Sequence, residues 1–234
     1  MLGGKDVKRI IKNDSPEWFE EWKENFEKEN DRKPHYKGDF STGSKNGAKR
    51  RRKLREELLK EQGYICCYCM KRITLNSSHN EHFWPKEDFK DKDMDYQNLF
   101  ASCQGVEILD EDKHCGHRKK NWWEDSMISP THPDVEKMFR YSASGEVHSV
   151  AEREESEIVD QMILKFGLNN YALVRNRKEA IEACELCDIE ESDDEQQNYS
   201  DEEIRNLIKF YSDKHEERYI PYCQAIVDSL ERLL

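Results

Sequence analysis

Five of the eight cysteines lie between Cys66 and Cys115. Cys66 and Cys69 form a Cys-x-x-Cys pair, a spacing that lets two thiolates bind one tetrahedral zinc ion. Cys103 and Cys115 are the natural second pair. A small unit of short β-pieces has little hydrophobic core and needs a cross-link of this kind. The spacing therefore predicts structural Zn²⁺ held by these four cysteines.

Two alternatives for these cysteines stay open. The insertion QGVEILDEDKH between the members of the second pair makes His114 an alternative fourth ligand, and the cysteines can also be reduced core residues. Cys67 is the less suitable member of the adjacent pair, because only one residue separates it from Cys69. Cys184 and Cys187 repeat the Cys-x-x-Cys spacing on an amphipathic helix without a second pair nearby, so core packing is predicted there.

A second group of residues with chemical potential lies inside the loop that these cysteines close. Glu81 and His82 stand side by side in SSHNEHFWPKEDF, and Asn98 and His117 follow further along the chain. A lone Glu-His pair is usually a surface feature, but its place between the cysteines favours a function. The remaining histidines are interpreted as exposed residues: His35, His79, His132, His148 and His215.

The elements before the cysteines are predicted to be helical. The first helix begins with Ser15 as N-cap and carries aromatic packing residues at helical spacing: Phe19, Trp22 and Phe26. The Gly- and Ser-rich stretch 35–47 is predicted to be a loop. A second, basic helix spans 48–63, ends at Gly63 and has an apolar side formed by Leu54, Leu58 and Leu59.

From Tyr64 to about Asp125 the helical period disappears. Two β-like pieces, 63–69 and 98–103, and a short helix over 116–123 are predicted there. Apolar residues at 3.6-residue spacing return after Pro133 and predict helices, with a break at Pro221. The predicted fold class is α+β and mostly helical, divided into segments 1–60, 61–125 and 126–234.

Charge is distributed unevenly along the chain. The formal net charge is −12, but Lys45 to Arg55 holds seven basic residues and no acid, and a second basic cluster runs from Lys113 to Lys120. Acidic residues concentrate between Glu185 and Glu203. This asymmetry indicates two surfaces with different partners, although an acidic segment is often simply solvated. No apolar run is long enough to cross a bilayer and no secretion signal is evident, so a cytoplasmic protein without a membrane partner is expected.

The ordered motifs CCYC, EHFWPK, DYQNLFASC and HCGHRK resemble those of HNH, or ββα-metal, endonucleases. The resemblance implies a small zinc-stapled ββα-metal nuclease unit embedded between N- and C-terminal helical segments. It implies that His82 is the general base, that Asn98 orients the loop between the strands, and that Glu81 and His117 hold a catalytic Mg²⁺ or Mn²⁺. The family usually places its last His or Asn directly after the final cysteine, where this chain has Gly116. His114 and Asn121 are therefore alternatives to His117.

Phosphodiester hydrolysis needs an activated water, a cation that neutralises charge on the phosphate, and a base with a pKa near neutrality. Histidine is the side chain whose ordinary pKa suits that base. Basic residues near such a site are expected to contact the phosphates of DNA. The candidates come from the two basic clusters: Lys49, Arg50, Arg51, Arg52, Arg118, Lys119 and Lys120.

Further stretches carry a narrower resemblance: KGDF, EQGYICCYCMKRI, YQNLFASCQG, HCGHRKKN, GLNNYALVRNRKEAI and YIPYCQAIV. Together with EHFWPK they resemble the HNH proteins of the Septu anti-phage system, the PtuB type, which occur with retrons as well, over most of the chain. This resemblance implies a hetero-oligomer with a PtuA-type ABC/SMC-like ATPase, since this chain has no G-x-x-x-x-G-K-[ST] motif of its own. Two rival interpretations are a zinc-stapled nucleic-acid-binding or adaptor module with a degenerate active site, and a scaffold for the ATPase. An RNA substrate also stays open.

Overall fold

The computed structural model describes residues 8–41, 44–104, 113–150, 154–186 and 199–234. These residues form a mixed α/β structure with two small antiparallel sheets. The helices are α1 (Glu17–Asn30), α2 (Ser44–Glu61), α3 (Gly116–Lys119), α4 (Ser156–Phe166), α5 (Tyr171–Leu186), α6 (Asp201–Ser212) and α7 (Cys223–Glu231). The strands are β1 (Ser78–His82), β2 (Leu99–Cys103), β3 (Phe139–Tyr141) and β4 (Val147–Ser149).

The predicted first helix is present as α1, but it begins at Glu17 after Pro16, not with Ser15 as its cap. The stretch after it was predicted to be a loop and instead contains a π-helical turn, Tyr36–Phe40, whose two end residues are buried. Phe19 of α1 packs edge-to-face on Phe40 with ring centroids 5.2 Å apart. Aromatic side chains bury large areas, so this contact explains why a Gly-containing stretch folds back onto α1.

Helix α2 has the predicted apolar side, because Leu54, Leu58 and Leu59 are all buried. Directly after it, the side chain of Gln62 donates to Ala101 O at 2.8 Å and accepts from Ala101 N at 2.7 Å. Gln62 thus satisfies both backbone groups of a β2 residue that faces α2, and the end of the helix is fixed to the sheet.

The first sheet pairs β1 with β2 in antiparallel register, from Ser78 opposite Cys103 to His82 opposite Leu99. The prediction for 98–103 is confirmed by β2. The other predicted β-piece, 63–69, is wrong: it forms turns with one isolated bridge between Ile65 and Arg72. The partner strand is β1, whose sequence SHNEH is too polar to be recognised as a strand by hydrophobicity.

The second sheet pairs β3 with β4 and corrects the expectation that only helices follow Pro133. The strands are three residues long, which is too short to show a period. Helices α4 to α7 agree with the predicted helical stretches, but the last stretch breaks at Asp213, before Pro221. Cys184 packs with Ile204, Ile226 and Leu230, as predicted, and Cys187 lies outside the described residues.

The main apolar core of the described residues includes Phe19, Leu99 and Phe166, and a smaller second cluster joins α5, α6 and α7. The segment before α7 joins the cysteine-containing turns by backbone hydrogen bonds. Tyr219 N donates to Gly63 O at 3.0 Å and Tyr222 N to Met70 O at 3.1 Å. Across the described ranges, none of the helices combines the length and apolar composition that a bilayer crossing requires.

Candidate active site

The four cysteines predicted to bind one ion form a single buried cluster. The Sγ atoms of Cys66, Cys69, Cys103 and Cys115 all lie within 4.8 Å of one another. Cys69 Sγ and Cys103 Sγ are 3.8 Å apart. Four sulfurs about 2.3 Å from a central zinc ion in tetrahedral geometry lie about 3.8 Å from each other, so the cluster fits one tetrahedral metal ion.

Three elements bring the sulfurs together. Cys66 and Cys69 lie in the turns that follow α2, Cys103 ends β2, and Cys115 precedes α3 with a φ of 56°. The backbone N–H of Cys103 donates to Cys66 Sγ at 3.3 Å. Burial opposes ionisation, but hydrogen bonds from Cys103 and Cys115 outweigh it and hold the pKa of Cys66 well below its usual range. The thiolate that a metal needs is therefore favoured at Cys66.

His114, the alternative fourth ligand, lies beside the cluster. Its Nδ1 is 3.2 Å from Cys115 Sγ and 3.5 Å from Cys103 Sγ. These are hydrogen-bonding distances to sulfur, so the imidazole supports two cysteines that already complete a set of four. Cys67 is buried, and burial raises the pKa of its thiol well above the usual range. The geometry therefore favours a ligand set of the four cysteines without His114 or Cys67.

Strand β1 places the carboxylate of Glu81 in a buried position between three partners. Oε1 accepts from Tyr68 Oη at 3.2 Å and lies 3.4 Å from Lys119 Nζ, whereas Oε2 lies 3.2 Å from His79 Nε2. Burial alone would raise the pKa of Glu81. The hydrogen bond from His79 and the charge of Lys119 outweigh burial and lower this pKa, so the carboxylate is ionised.

His82 is buried, and its Nε2 lies 3.0 Å from the carbonyl oxygen of Asp93. A carbonyl only accepts, so Nε2 carries the hydrogen and Nδ1 keeps the lone pair of a neutral imidazole. The ring also packs edge-on against Tyr36 at 4.6 Å. Burial, followed by the charge of Lys86, lowers the pKa of His82 to about 4. At neutral pH this histidine is an uncharged proton acceptor, but its pKa lies below the near-neutral value that the sequence argument expects of the base.

Asn98 is fully buried and clamps the segment that connects β1 to β2. Its Oδ1 accepts from Trp84 N at 2.7 Å, and its Nδ2 donates to Trp84 O at 3.1 Å and Lys92 O at 3.0 Å. The same segment contains Asp93, whose carbonyl holds His82. Asn98 thus has the contacts of a loop-orienting residue, although its catalytic role stays a prediction.

The structure brings His79 into this site, which corrects its interpretation as an exposed loop residue. His79 lies on β1 two positions before Glu81, so the two side chains share one face of the strand. Its side chain is 24% exposed. His117, the predicted ligand on α3, is exposed, and its ring centroid lies 4.7 Å from that of His79. The alternating His-x-Glu spacing was the sequence signal for His79.

Lys119 was predicted to contact nucleic acid, and the structure corrects this expectation. Its side chain is 0% exposed, and its ammonium donates to His82 O at 3.0 Å besides pairing with Glu81. It therefore lies inside the site and offers no surface to a phosphate backbone. Its neighbours differ, since Arg118 is half-buried and Lys120 is exposed.

The basic residues of α2 also divide into two kinds. Arg50 donates to Phe40 O and Asp39 O at 3.0 Å each, and Arg51 donates to Ser41 O, so both guanidinium groups bind the protein's own backbone. Lys49 and Arg52 are exposed. Arg52 lies 3.4 Å from Glu56 on the same helix, a solvent-exposed contact that costs little to break.

No protein-family model matches the chain. The chain is similar to a protein of Vibrio cholerae serotype O1 biovar El Tor described as "Retron Vc95 putative HNH endonuclease". The two are 28% identical over 126 residues, which cover 52% of this chain and 60% of that protein. The chain thus spans less than two thirds of the relative's length. This homology supports a nuclease role of HNH type.

Proposed function

We propose that this protein is a metal-dependent HNH endonuclease that hydrolyses phosphodiester bonds of DNA. The observation that carries the proposal is the placement of Glu81 and His82 on β1, and of Asn98 directly before β2, beside the four-cysteine cluster. In this proposal β1, β2 and α3 form the ββα-metal unit, and the cysteines hold structural Zn²⁺. The similarity to a retron-associated protein of the same described type supports the assignment.

The donors around Glu81 fit a hard divalent ion. An ionised carboxylate and nearby imidazoles are ligands that Mg²⁺ or Mn²⁺ accept, and the proposal assigns Glu81 and His117 to this ion. When bound, such an ion neutralises the charge that develops on the phosphate and on the leaving oxygen. The carboxylate is ready for this task because Tyr68 and Lys119 fix its other oxygen.

His82 is assigned as the general base. Its Nε2–H is fixed by Asp93 O, so Nδ1 is the atom that takes a proton from the attacking water. The clamp made by Asn98 holds the segment that carries this carbonyl, and the imidazole orientation therefore depends on Asn98. Precise orientation of a base contributes to rate because reacting atoms must meet within a narrow geometry.

The proposed nucleic-acid surface comprises the exposed cations Lys49, Arg52 and Lys120, together with the half-buried Arg118. Lys and Arg bind phosphates without reading sequence, so this surface supports affinity and leaves base specificity unassigned. DNA is the proposed substrate, and cleavage of RNA by the same site is the alternative outcome of the assay described below.

The retron context of the relative supports a role in anti-phage defence. We include in the proposal a two-component Septu-like system in which an ABC/SMC-like ATPase encoded with this protein controls the nuclease in the cytoplasm. The predicted docking segment, Glu185–Glu203, lies largely outside the described residues. Co-purification of the two chains, with and without ATP, tests this part separately from cleavage.

The decisive experiment is plasmid cleavage by the zinc-loaded wild type and by His82→Ala, in Mg²⁺ or Mn²⁺ and in EDTA. We expect metal-dependent cleavage by the wild type and a loss of about 10²–10⁴-fold in the variant, the usual contribution of a general base. Equal zinc content and equal melting temperatures establish that both proteins are folded. Single-stranded RNA in parallel reactions separates the two substrates.

One observation favours the second candidate, a zinc-stapled nucleic-acid-binding module. Glu81 already contacts the ammonium of Lys119 and the imidazole of His79, so its charge is satisfied by protein groups. A binding module predicts that wild type and His82→Ala bind DNA equally and that neither cleaves it, including in the presence of the ATPase. Metal-dependent cleavage by the wild type alone excludes this candidate.

A further inference from the structure

We propose that His79 is a ligand of the divalent cation, together with Glu81. This inference rests on the proposed function, because it deepens the metal site assumed there. It adds to the site a residue that the motif resemblance does not assign. Four observations on the β1 face carry it: a distance, an orphaned nitrogen, a glycine and the division of the Glu81 carboxylate.

The first observation is the separation of the two donor atoms. His79 Nε2 and Glu81 Oε2 lie 3.2 Å apart. Two donor atoms that each sit about 2.1 Å from one ion lie about 3 Å apart when they occupy adjacent octahedral positions. The pair therefore stands at the spacing of two neighbouring ligands on one cation.

The second observation is the other nitrogen of the ring. His79 Nδ1 is buried and has no hydrogen-bond partner among the described residues. An imidazole that donates from Nε2 to Glu81 leaves a buried lone pair at Nδ1, and one that is protonated at Nδ1 leaves a buried donor. Protein groups alone do not satisfy this ring in either tautomer. No protein group thus fixes the tautomer of the ring, and the tautomer with its hydrogen on Nδ1 leaves the Nε2 lone pair available to a cation.

The third observation is Gly116, which stands directly after the last cysteine. A Cβ added there would lie 2.3 Å from Glu81 Oε2 and 2.7 Å from His79 Nε2. Real Cβ atoms do not approach other atoms so closely, so any side chain at position 116 would displace both donors. The glycine keeps open the space in front of the two donor atoms, and His79 occupies the place that a side chain at position 116 would use.

The fourth observation is that the carboxylate of Glu81 is divided between two surroundings. Tyr68 and Lys119 hold Oε1 from the protein interior, and Oε2 faces His79. Fixing one oxygen by hydrogen bonds orients the other toward a metal. The ring centroid of His117 lies 4.7 Å from that of His79, which makes His117 a neighbour of the pair but not a member of a compact three-donor group.

The test is Mn²⁺ binding to the full zinc-loaded chain, measured by isothermal titration calorimetry. We expect His79→Ala and Glu81→Gln each to raise the Kd for Mn²⁺ by at least about tenfold. Losing a residue that only supports a ligand already weakens metal binding by about tenfold or more, and losing a ligand itself should cost no less. The matched control is His148→Ala, an exposed histidine on β4, which should bind Mn²⁺ as the wild type does. Gly116→Ala should weaken binding without removing any donor atom.

Spin-echo spectroscopy of bound Mn²⁺ separates a ligand from a residue that merely supports Glu81. In a His117→Ala background, an imidazole-nitrogen coupling should persist and should disappear when His79→Ala is added. If the coupling is absent in that background, or if His79→Ala binds Mn²⁺ like the wild type while Glu81→Gln does not, the inference is overturned. Absence of Mn²⁺ binding by the wild type also overturns it.

The two proposals fail in distinguishable ways. If Mn²⁺ binding depends on His79 but the protein cleaves no nucleic acid, the ligand role of His79 holds and the nuclease proposal fails. If cleavage is metal-dependent but His79→Ala leaves the Kd for Mn²⁺ unchanged, the nuclease proposal holds and the ligand role of His79 fails. If His79→Ala proves less stable, Gly116→Ala supplies an independent variant in which both donors remain.

Discussion

Two clusters of candidate metal ligands adjoin the β1–β2 strand pair and differ in how closed they are. The cysteine cluster is buried on all sides and complete with four identical soft donors. The Glu81 cluster mixes a carboxylate, imidazoles and a lysine, and its members range from the buried Lys119 to the exposed His117. Structural sites are closed and catalytic sites keep an open position, so the two clusters match two different tasks on one scaffold.

The largest expected effect comes from breaking the closed cluster. Structural zinc contributes about 10–16 kcal/mol in small peptides, comparable to or larger than the whole stability of a typical domain of about 5–15 kcal/mol. Cys103→Ser should therefore lose the metal and cooperative unfolding, as measured by zinc analysis and circular dichroism. The control is Cys184→Ala, which lies in the separate apolar cluster and should keep its zinc. A Cys103→Ser protein that melts like the wild type contradicts a structural role.

A second effect tests the ion pair inside the open cluster. Burial lowers the pKa of Lys119, while the charge and the hydrogen bond of Glu81 oppose this change. Removing one partner of a buried pair costs about 3–5 kcal/mol, because the other charge stays uncompensated. Lys119→Met should lower the free energy of unfolding in urea by about this amount.

The double variant Lys119→Met with Glu81→Gln serves as the control for that experiment. It should recover much of the loss, because no buried charge then lacks a partner. If the loss in the double variant equals the sum of the losses in Lys119→Met and Glu81→Gln alone, the two side chains do not interact. Added Mn²⁺ should stabilise the single variant, in which Glu81 remains available to a cation.

The third effect concerns the hydrogen bonds by which Asn98 holds the segment between β1 and β2 in place beside the Glu81 cluster. Asn98→Ala removes three hydrogen bonds to Trp84 and Lys92 and leaves their backbone groups buried. We expect a loss of about 2–4 kcal/mol in unfolding free energy. Cleavage should fall by about 10²-fold because the base loses its orientation. Asn76→Ala, at an exposed position, is the control and should change neither quantity.

The smallest effect distinguishes exposed from engaged cations outside both clusters. Lys49→Ala with Arg52→Ala should weaken DNA binding uniformly across sequences and reduce the slope of log K against log salt by about 2. Arg50→Ala should instead lower stability, since its guanidinium holds two backbone carbonyls. Fluorescence anisotropy at several salt concentrations measures the first effect and thermal melting the second. Identical salt slopes for the wild type and for the Lys49→Ala, Arg52→Ala double variant would exclude α2 from the binding surface.

The cysteine cluster was predictable because cysteine pairs at short spacing have few other uses in a chain expected to be reduced. The strand that ends at Cys103 was also predicted, because 98–103 is a short apolar run of strand-forming residues, whereas the turns around Cys66 were predicted as a β-piece. Strand β1 was missed because its polar side chains form the site itself, which hides the hydrophobic signal of a strand. Function and local pattern conflict where chemistry requires polar residues on a buried element.

The other differences between the prediction and the structure arise from contacts between elements that the local sequence does not reveal. Nothing in the run Arg118–Lys120 shows that the middle residue turns inward, since this depends on how a four-residue helix meets β1. The π-helical turn at Tyr36–Phe40 forms because two aromatic residues find a pocket on α1, which a Gly- and Ser-rich composition does not reveal. His79 could be assigned to the site only once the structure showed that 78–82 forms a strand and that His79 and Glu81 share one face of it.

The hydrogen bonds from Tyr219 and Tyr222 to Gly63 and Met70 have a consequence for biosynthesis. The cysteine-containing turns receive these bonds from residues about 150 positions later in the chain. A nascent chain that has emerged only as far as the acidic segment lacks these contacts, although all four cysteines are already outside the ribosome. The backbone contacts of the cysteine-containing turns are therefore completed only late in translation, after the segment before α7 has emerged.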